Sequence, residues 1–281
     1  MSINTNAGAE VAAVAAQRAA AMMDEAMLRL STGKRINSAR DDAAGLAVAT
    51  RMAKEIAGLG QALRNANDAQ GLIDTGESAL KEVSTLLLRM REIAVSASSD
   101  TNTDADRAAL DTEVTALETE ISRIGDQTSW GGINLFTGTH DKASPIRFHL
   151  GPTSTNFIDV TLGVVSIAAR GSDLQGSLSL TGSVSSRANA TSYLTGIDAA
   201  ISIISARRGN FGAVSNRLTS AIANLENMKS SMVTAKGQVE DANYAEETAK
   251  LARAQILMQA ATAMLAQANA SKNATLKLVT G

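Results

Sequence analysis

The feature that most constrains this chain is a long apolar repeat in its first half. From Met52 to Ala97, steps of alternately four and three residues, with one shortened step, meet apolar side chains at twelve of fourteen positions. The two polar exceptions are Gln70 and Glu77. Such a repeat predicts a helix that packs along a coiled-coil seam, and the shortened step is a stammer. If helical throughout, these 46 residues would span roughly 69 Å.

Four further segments have a helical period. A turn at Ser98–Thr103 precedes a helix that starts at Asp104, which predicts a helical hairpin with the first repeat. Apolar residues recur at 3–4 spacing between residues 194 and 239. Ala9–Leu30 and Glu240–Ala270 are helical and rich in alanine. Because alanine side chains are small, these two terminal helices require a close helix–helix approach.

The middle of the chain changes to the period of a β-strand. Two short alternating runs flank the loop Gly151–Asn156 and predict a β-hairpin. The alternating residues are Ile146, Phe148 and Leu150, then Ile158, Val160 and Leu162. The predicted fold is therefore mainly α: a long antiparallel coiled-coil helical bundle from both chain ends, with a small β-hairpin region in the middle.

Composition excludes several classes of protein. The formal net charge of -2 argues against a nucleic-acid binder, and the absence of cysteine excludes disulfides and thiolate metal sites. The longest uncharged segment, Ala254–Ser271, carries amides on every face, which would be costly in lipid. We therefore expect no membrane insertion, and we expect this segment to be a helix buried in a protein assembly.

No motif indicates catalysis. Gly33–Lys34 lacks the earlier glycine of a phosphate loop, and Gly58–Gly60 lacks the third glycine of a dinucleotide fingerprint. His140 beside Asp141 is a candidate metal or acid–base pair, but a surface histidine is the favoured interpretation. The sequence thus predicts a structural protein without cofactor, metal or catalytic residues.

Charge is unevenly distributed between two of the predicted helical segments. Residues 100–126 hold eight acids and two arginines, a net of -6. Residues 193–239 hold five basic and two acidic residues, a net of +3. Opposed charge favours a contact between these segments, either within one chain or between two chains, whereas two solvated faces would contribute little.

Several stretches of the chain resemble bacterial flagellin. The longest are LRLSTGKRINSARDDAAGLAVATRM at residues 28–52, GLGQALRNANDAQGLI at 58–73, and VEDANYAEETAKLARAQILMQA at 239–260. TSWGGINLF at 128–136 and MLAQAN at 264–269 also match. The resemblance covers both ends and about four-fifths of the chain.

The resemblance implies a subunit of the bacterial flagellar filament, used in swimming motility. Residues 1–40 and 240–281 would form paired inner filament-core helices, poorly ordered in the free monomer. Residues 41–239 would form the outer tube, with the hairpin near 145–163. Only Val164–Ala190 is available for the surface domains of longer flagellins. The predicted subunit-interface residues are Ala16, Met23, Leu30, Leu251, Met258 and Leu265.

The family also implies partners. These are further copies of the chain in a helical homopolymer, the flagellar type III export apparatus with a chaperone, and the filament cap and hook-junction proteins. Secretion would place the protein in the extracellular filament, although Met1–Glu10 does not resemble a secretory signal peptide. Arg89, Glu92 and Glu113 match residues through which the innate immune receptor contacts flagellins.

Two alternatives remain open from the sequence. A hook–filament junction protein shares flagellin-like ends but joins two structures instead of propagating one. An enzyme on a coiled-coil scaffold is the other alternative, and the missing nucleophile, metal and cofactor motifs argue against it.

Overall fold

The computed structural model describes residues 5–137, 146–151, 156–162, 180 and 182–280, with side chains as far as residue 274. Helices dominate this part of the chain, as the apolar periods predicted. They are α1 (Ala7–Thr32), α2 (Ala43–Ala97), α3 (Asp104–Gln127), α4 (Arg187–Glu240) and α5 (Tyr244–Thr280). The strands are β1 (Ser129–Trp130), β2 (Ile133–Asn134), β3 (Ile146–His149) and β4 (Phe157–Val160). The predicted mainly α fold is therefore confirmed.

Two compact units divide the chain. The terminal unit comprises Met1–Ile56 and Ser230–Gly281, and the central unit comprises Ala57–Lys229. Within the terminal unit, α1 packs against α5. The division predicted at residues 40 and 240 concerns positions in a polymer, and it stays a prediction.

The core of the central unit consists of large side chains from α2, α3 and α4. Leu80, Leu87, Met90, Ile121 and Ile204 all belong to one buried cluster and are fully buried. Helix α2 runs unbroken through its internal glycines, because the apolar seam is buried along most of its length. Burial of each such leucine or isoleucine contributes about 1.5–3 kcal/mol, which exceeds the roughly 1 kcal/mol lost at each helical glycine.

The two polar interruptions of the α2 seam meet polar partners on α4. The Gln70 amide nitrogen donates to the Ser215 hydroxyl at 2.8 Å. The Arg208 guanidinium donates to a Glu77 carboxylate oxygen, also at 2.8 Å. A partly buried polar pair disfavours other alignments of two helices, since a shift would leave its groups without partners. These two pairs therefore help to fix the register of α2 against α4.

Both small sheets are antiparallel hairpins. Strand β3 pairs with β4 as the predicted hairpin, with Phe148 opposite Ile158. The Asn65 side chain of α2 donates to the His149 carbonyl oxygen at 2.9 Å, which anchors β3. Strands β1 and β2 were not predicted. Gly131 and Gly132 connect them with φ values of +56° and +83°, as a type I′ turn requires.

Candidate functional site

Helices α1 and α5 form an antiparallel pair in the terminal unit. Near one end, the Asn6 amide donates to the Ala268 carbonyl oxygen at 3.2 Å. Near the other, Arg29 lies 3.4 Å from Glu247. Alanines at heptad spacing are buried along the pair, which agrees with the close approach that the alanine-rich sequence requires. They are Ala12, Ala19, Ala26, Ala254 and Ala261.

The six predicted interface residues lie on this helix pair, and each is half-buried. They follow the buried alanines by four residues on α1 and precede or follow them by three or four on α5. The residues are Ala16, Met23, Leu30, Leu251, Met258 and Leu265. The structure thus assigns part of their surface to the α1–α5 pair itself. Their contact with a second copy stays a prediction.

A second set of apolar residues on the same helices is exposed, and the sequence reasoning did not single it out. Val11 is 70% exposed, Met22 45% and Met264 64%. Val11, Val14, Met22 and Leu257 line a groove of about 520 Å³, together with Ala15 and the charged Glu10 and Arg18. We call this feature the terminal groove. Monomeric proteins rarely leave a large contiguous apolar surface in water, so it marks a candidate interaction site.

Charged groups hold the start of α5 against the end of α1. Glu247 is buried, with its carboxylate 2.8 Å from the Lys250 ammonium and 3.4 Å from the Arg29 guanidinium. Burial alone raises the pKa of the Glu247 carboxyl. The hydrogen bond and charge of Lys250, together with the charge of Arg29, outweigh burial, so the net pKa lies below the ordinary 4.5. The carboxylate therefore stays ionised inside the pair.

The segment after α1 pairs with the segment after α4. The Arg35 amide donates to the Glu240 carbonyl oxygen at 2.7 Å, and the Ala242 amide donates to the Gly33 carbonyl oxygen at 3.0 Å. Gly33 ends α1 with a left-handed φ of +70°, which favours glycine. The Lys34 ammonium lies 2.5 Å from the Glu240 carboxylate and, as the main cause, lowers its pKa. The residues that follow α1 are thus bound to the residues between α4 and α5.

The three residues predicted to contact the immune receptor lie together in the central unit. The Arg89 guanidinium donates to Glu113 at 2.8 Å and 3.1 Å, and to Glu92 at 3.2 Å. All three side chains are about half-exposed or more. The hydrogen bonds, first that from Arg89 to Glu113, raise the pKa of Arg89. Arg89 is therefore a fixed positive charge between two acids on the surface.

In the described residues, the acidic segment contacts the start of α4 through an ion pair between Asp100 and Arg187 at 3.2 Å, and through hydrogen bonds from neutral donors. On α3, Asp111 accepts a hydrogen bond from the Val184 amide at 2.8 Å, and Glu118 accepts one from the Tyr193 hydroxyl at 2.5 Å. On α4, Arg208 pairs with α2 instead, through Glu77. Asp111 and Glu118 of α3 thus hold the start of α4 and the segment before it by accepting hydrogen bonds from neutral donors.

The described residues contain no group of three or more histidine, cysteine, aspartate or glutamate side chains that could hold a metal ion. His140 and Asp141 lie outside the described residues. Within the described part of the chain, no helix is both long and apolar enough to cross a membrane.

Comparison with known proteins finds the same family at both ends of the chain. Residues 3–141 match the bacterial flagellin N-terminal helical region, and residues 194–279 match the bacterial flagellin C-terminal helical region. A flagellin of Halalkalibacterium halodurans is 39% identical over 255 residues, which cover 91% of each chain. Polar flagellin F of Vibrio parahaemolyticus is 28% identical over an alignment that covers 99% of each chain.

Among solved structures, the crystal structure of Bacillus cereus flagellin aligns with a TM-score of 0.49 and 29% identity, covering 58% of this chain and 88% of that one. The assignment rests on the sequence matches, and the named relatives do not favour the hook–filament junction alternative. With both helical regions matched and a flagellin 39% identical over most of its length, the chain belongs to the bacterial flagellin family.

Proposed function

We propose that this chain polymerises into the flagellar filament through the exposed apolar surface of α1 and α5. Membership of the flagellin family makes it a structural protein and not an enzyme. The observation that carries the proposal is the terminal groove with its exposed side chains, above all Val11, Met22 and Leu257. Burial of these side chains between copies would supply the free energy of assembly.

The magnitude of this term is substantial for each copy. Removing a valine, leucine or methionine side chain from water contributes up to about 1.5–3 kcal/mol, in proportion to the area still exposed. A head-to-tail contact that does not close into a ring repeats this gain at every added subunit and generates a helical filament. Opposite charges at Glu10 and Arg18 in the groove would orient the incoming copy.

The same proposal gives each part of the chain a position in the filament. Residues 1–40 and 240–281 would form the inner tube, and residues 41–239 the outer tube. The half-buried side chains on the α1–α5 pair, Met23 and Leu265 among them, would complete the contact beside the exposed groove. The exposed Val11 and Met264 extend this predicted interface beyond the six residues that the sequence indicated.

The remaining partners are extensions of this role. A filament outside the cell requires export of the subunit, for which the flagellar export apparatus and a chaperone are the proposed partners. The filament cap and the hook-junction proteins would contact the two ends of the polymer.

Arg89, Glu92 and Glu113 support a separate proposal, contact with the innate immune flagellin receptor. Their charges are grouped on one exposed surface. Binding of the full chain to the receptor ectodomain, compared with an Arg89→Ala variant, tests the contact; equal affinity would exclude it.

Seeded polymerisation tests the proposed function. Purified full-length monomer is mixed with short filament fragments under precipitant, and elongation is followed by negative-stain electron microscopy. The wild-type chain should form long uniform filaments. Leu257→Asp should stop elongation, because it places a charge in the terminal groove, whereas Thr85→Asp adds the same charge at an exposed position of the central unit and should leave elongation unchanged.

Circular dichroism of both variants provides the folding control, since each substitution lies at an exposed helical position. If the wild-type chain remained monomeric, this result would contradict self-propagation and favour the hook–filament junction alternative. Normal elongation of Leu257→Asp would show that the groove is not the contact.

A further inference from the structure

Sulfur chemistry in this chain is confined to methionine, because the sequence contains ten methionines and no cysteine. Among the described residues, four methionine side chains are strongly exposed: Met22 at 45%, Met27 at 46%, Met228 at 48% and Met264 at 64%. By contrast, Met90 is fully buried in the central core. A peroxide can therefore reach some thioethers of the folded monomer and not others.

Three of the four exposed methionines lie on the helices proposed to polymerise. Met22 lines the terminal groove next to Leu257, and Met264 follows Leu257 by one heptad on α5. Met27 is on α1. Met228 lies on α4 in the central unit and has nearly the same exposure as Met22. The chain thus supplies its own comparison between a methionine at the proposed interface and one outside it.

We propose that oxidation of Met22, Met27 and Met264 to methionine sulfoxide blocks polymerisation of this chain. The inference rests on the proposed function of the terminal helices. Each thioether sulfur donates an electron pair to one oxygen of a peroxide such as hydrogen peroxide, and the O–O bond breaks. The sulfur is oxidised by two electrons, and the departing hydroxide takes the proton of the oxygen now bound to sulfur, which leaves the sulfoxide and one water.

The consequence follows from polarity. A thioether is apolar and adaptable, whereas a sulfoxide carries a strong hydrogen-bond acceptor. When a second copy covers the terminal groove, a sulfoxide at Met22 must give up its water, and apart from Arg18 the side chains beside it (Val11, Val14, Ala15 and Leu257) offer no donor. We expect this loss of hydration to disfavour association by about tenfold or more at each site. The monomer itself stays folded, because these side chains are exposed before assembly.

The experiment compares the wild-type chain before and after treatment with hydrogen peroxide. Peptide mass spectrometry identifies each methionine that has gained an oxygen atom, and seeded elongation is followed by electron microscopy. The expected pattern is oxidation at Met22, Met27, Met228 and Met264, no oxidation at Met90, and elongation slowed by at least about tenfold. Untreated protein from the same preparation must elongate, which tests the proposed function separately.

Two sets of leucine substitutions assign the effect to particular residues. The triple variant Met22→Leu, Met27→Leu and Met264→Leu should polymerise and keep most of its elongation rate after peroxide, because leucine is a volume-conserving helix former without sulfur. Met23 and Met258, which also belong to the predicted interface, are half-buried and should oxidise more slowly. Met228→Leu should remain as sensitive as the wild type. Treatment of the oxidised wild type with methionine sulfoxide reductases should restore elongation.

Three outcomes would overturn the inference. One is an unchanged elongation rate after complete oxidation of Met22, Met27 and Met264. Another is a triple leucine variant that loses elongation on peroxide treatment as fully as the wild type. The third is resistance conferred by Met228→Leu alone. Failure of untreated wild-type protein to elongate would instead contradict the proposed function on which the inference rests.

Discussion

The central and terminal units are both helical, but they bury very different side chains. Among the described residues, the largest fully buried side chains lie in the central unit, from Tyr193 and Phe136 to Leu80 and Met90. The α1–α5 pair buries mainly alanines and leaves valine, leucine and methionine side chains such as Met264 in water. A buried alanine methyl contributes about 0.8 kcal/mol, against about 1.5–3 kcal/mol for a leucine.

This difference indicates that apolar side chains are buried in two steps, first when one chain folds and then when chains assemble. The central unit removes its large apolar side chains from water when a single chain folds. The terminal unit packs two helices closely through small residues and leaves large apolar side chains exposed, and we propose that these become buried on assembly. Mutations should therefore separate folding from assembly, and the following predictions run from the largest expected effect to the smallest.

A matched pair of leucine truncations gives the sharpest separation. Leu80→Ala removes a fully buried side chain from the central core and should lower the free energy of unfolding by about 2–5 kcal/mol. Leu257→Ala, at a 44% exposed position, should change it by less than about 0.5 kcal/mol but slow seeded elongation. Denaturant unfolding followed by circular dichroism gives the first quantity, and electron microscopy the second. Similar losses of stability in both variants would contradict the proposed difference between the central core and the terminal groove.

Overpacking the alanine contact tests whether α1 and α5 need small residues. Ala19→Leu adds three carbon atoms where the residue is 1% exposed and should destabilise the helix pair by about 1–3 kcal/mol. Ala21→Leu makes the same change at an exposed position of α1 and is the control. Helicity measured during thermal unfolding should fall earlier for Ala19→Leu only. Equal melting curves would mean that the pair is not closely packed.

Protonation of Glu247 should weaken the terminal pair in acid. Because its folded pKa is depressed, its stabilising contribution is complete above the ordinary pKa of 4.5 and disappears as the pH falls through the lower folded value. Glu247→Gln should cost about 1–2 kcal/mol at neutral pH and reduce this acid dependence, leaving the part due to Glu240, whose pKa is also lowered. Glu246→Gln, at a 62% exposed side chain, should do neither. Thermal unfolding at several pH values provides the measurement, and an acid dependence in Glu247→Gln as steep as that of the wild type would contradict the assignment.

The smallest effect concerns the contact between Trp130 and α2. A β-carbon at Gly71 would lie 2.7 Å from the indole ring, so Gly71→Ala should displace Trp130, the single tryptophan of the chain. Its fluorescence should shift to longer wavelength, with a loss of about 1 kcal/mol or less. Gly60→Ala meets no atom within 4 Å and should stabilise α2 by about 0.5–1 kcal/mol without a spectral change. An unshifted spectrum in Gly71→Ala would show that the ring does not pack there.

The sequence predicted the features that depend on local period. The repeat through Leu80 and Met90 defined α2, and the alternation at Ile146 and Phe148 defined β3. It could not assign partners to Gln70, because its partner Ser215 lies 145 residues away along the chain. The hairpin of β1 and β2 was missed because two-residue strands are too short to show a period.

For the candidate site, the apolar period of the sequence indicated that α1 and α5 pair. It did not indicate which side chains of the pair remain exposed. Met23 and Leu265 follow the same heptad rule as the buried alanines, and the structure leaves them half-buried. Val11 and Met264, which are more exposed, lie off that stripe. Exposure depends on how the second helix is rotated about its axis, and sequence spacing alone does not determine this rotation.

Amide hydrogen exchange on free monomer and on filaments tests most directly whether the terminal helices complete their burial only on assembly. We expect α1 and α5 to exchange rapidly in the monomer and slowly in the filament, whereas core amides near Leu80 and Ile204 stay protected in both. Protection of α1 and α5 in the monomer equal to that of the central core, with no gain on assembly, would contradict the two-step burial.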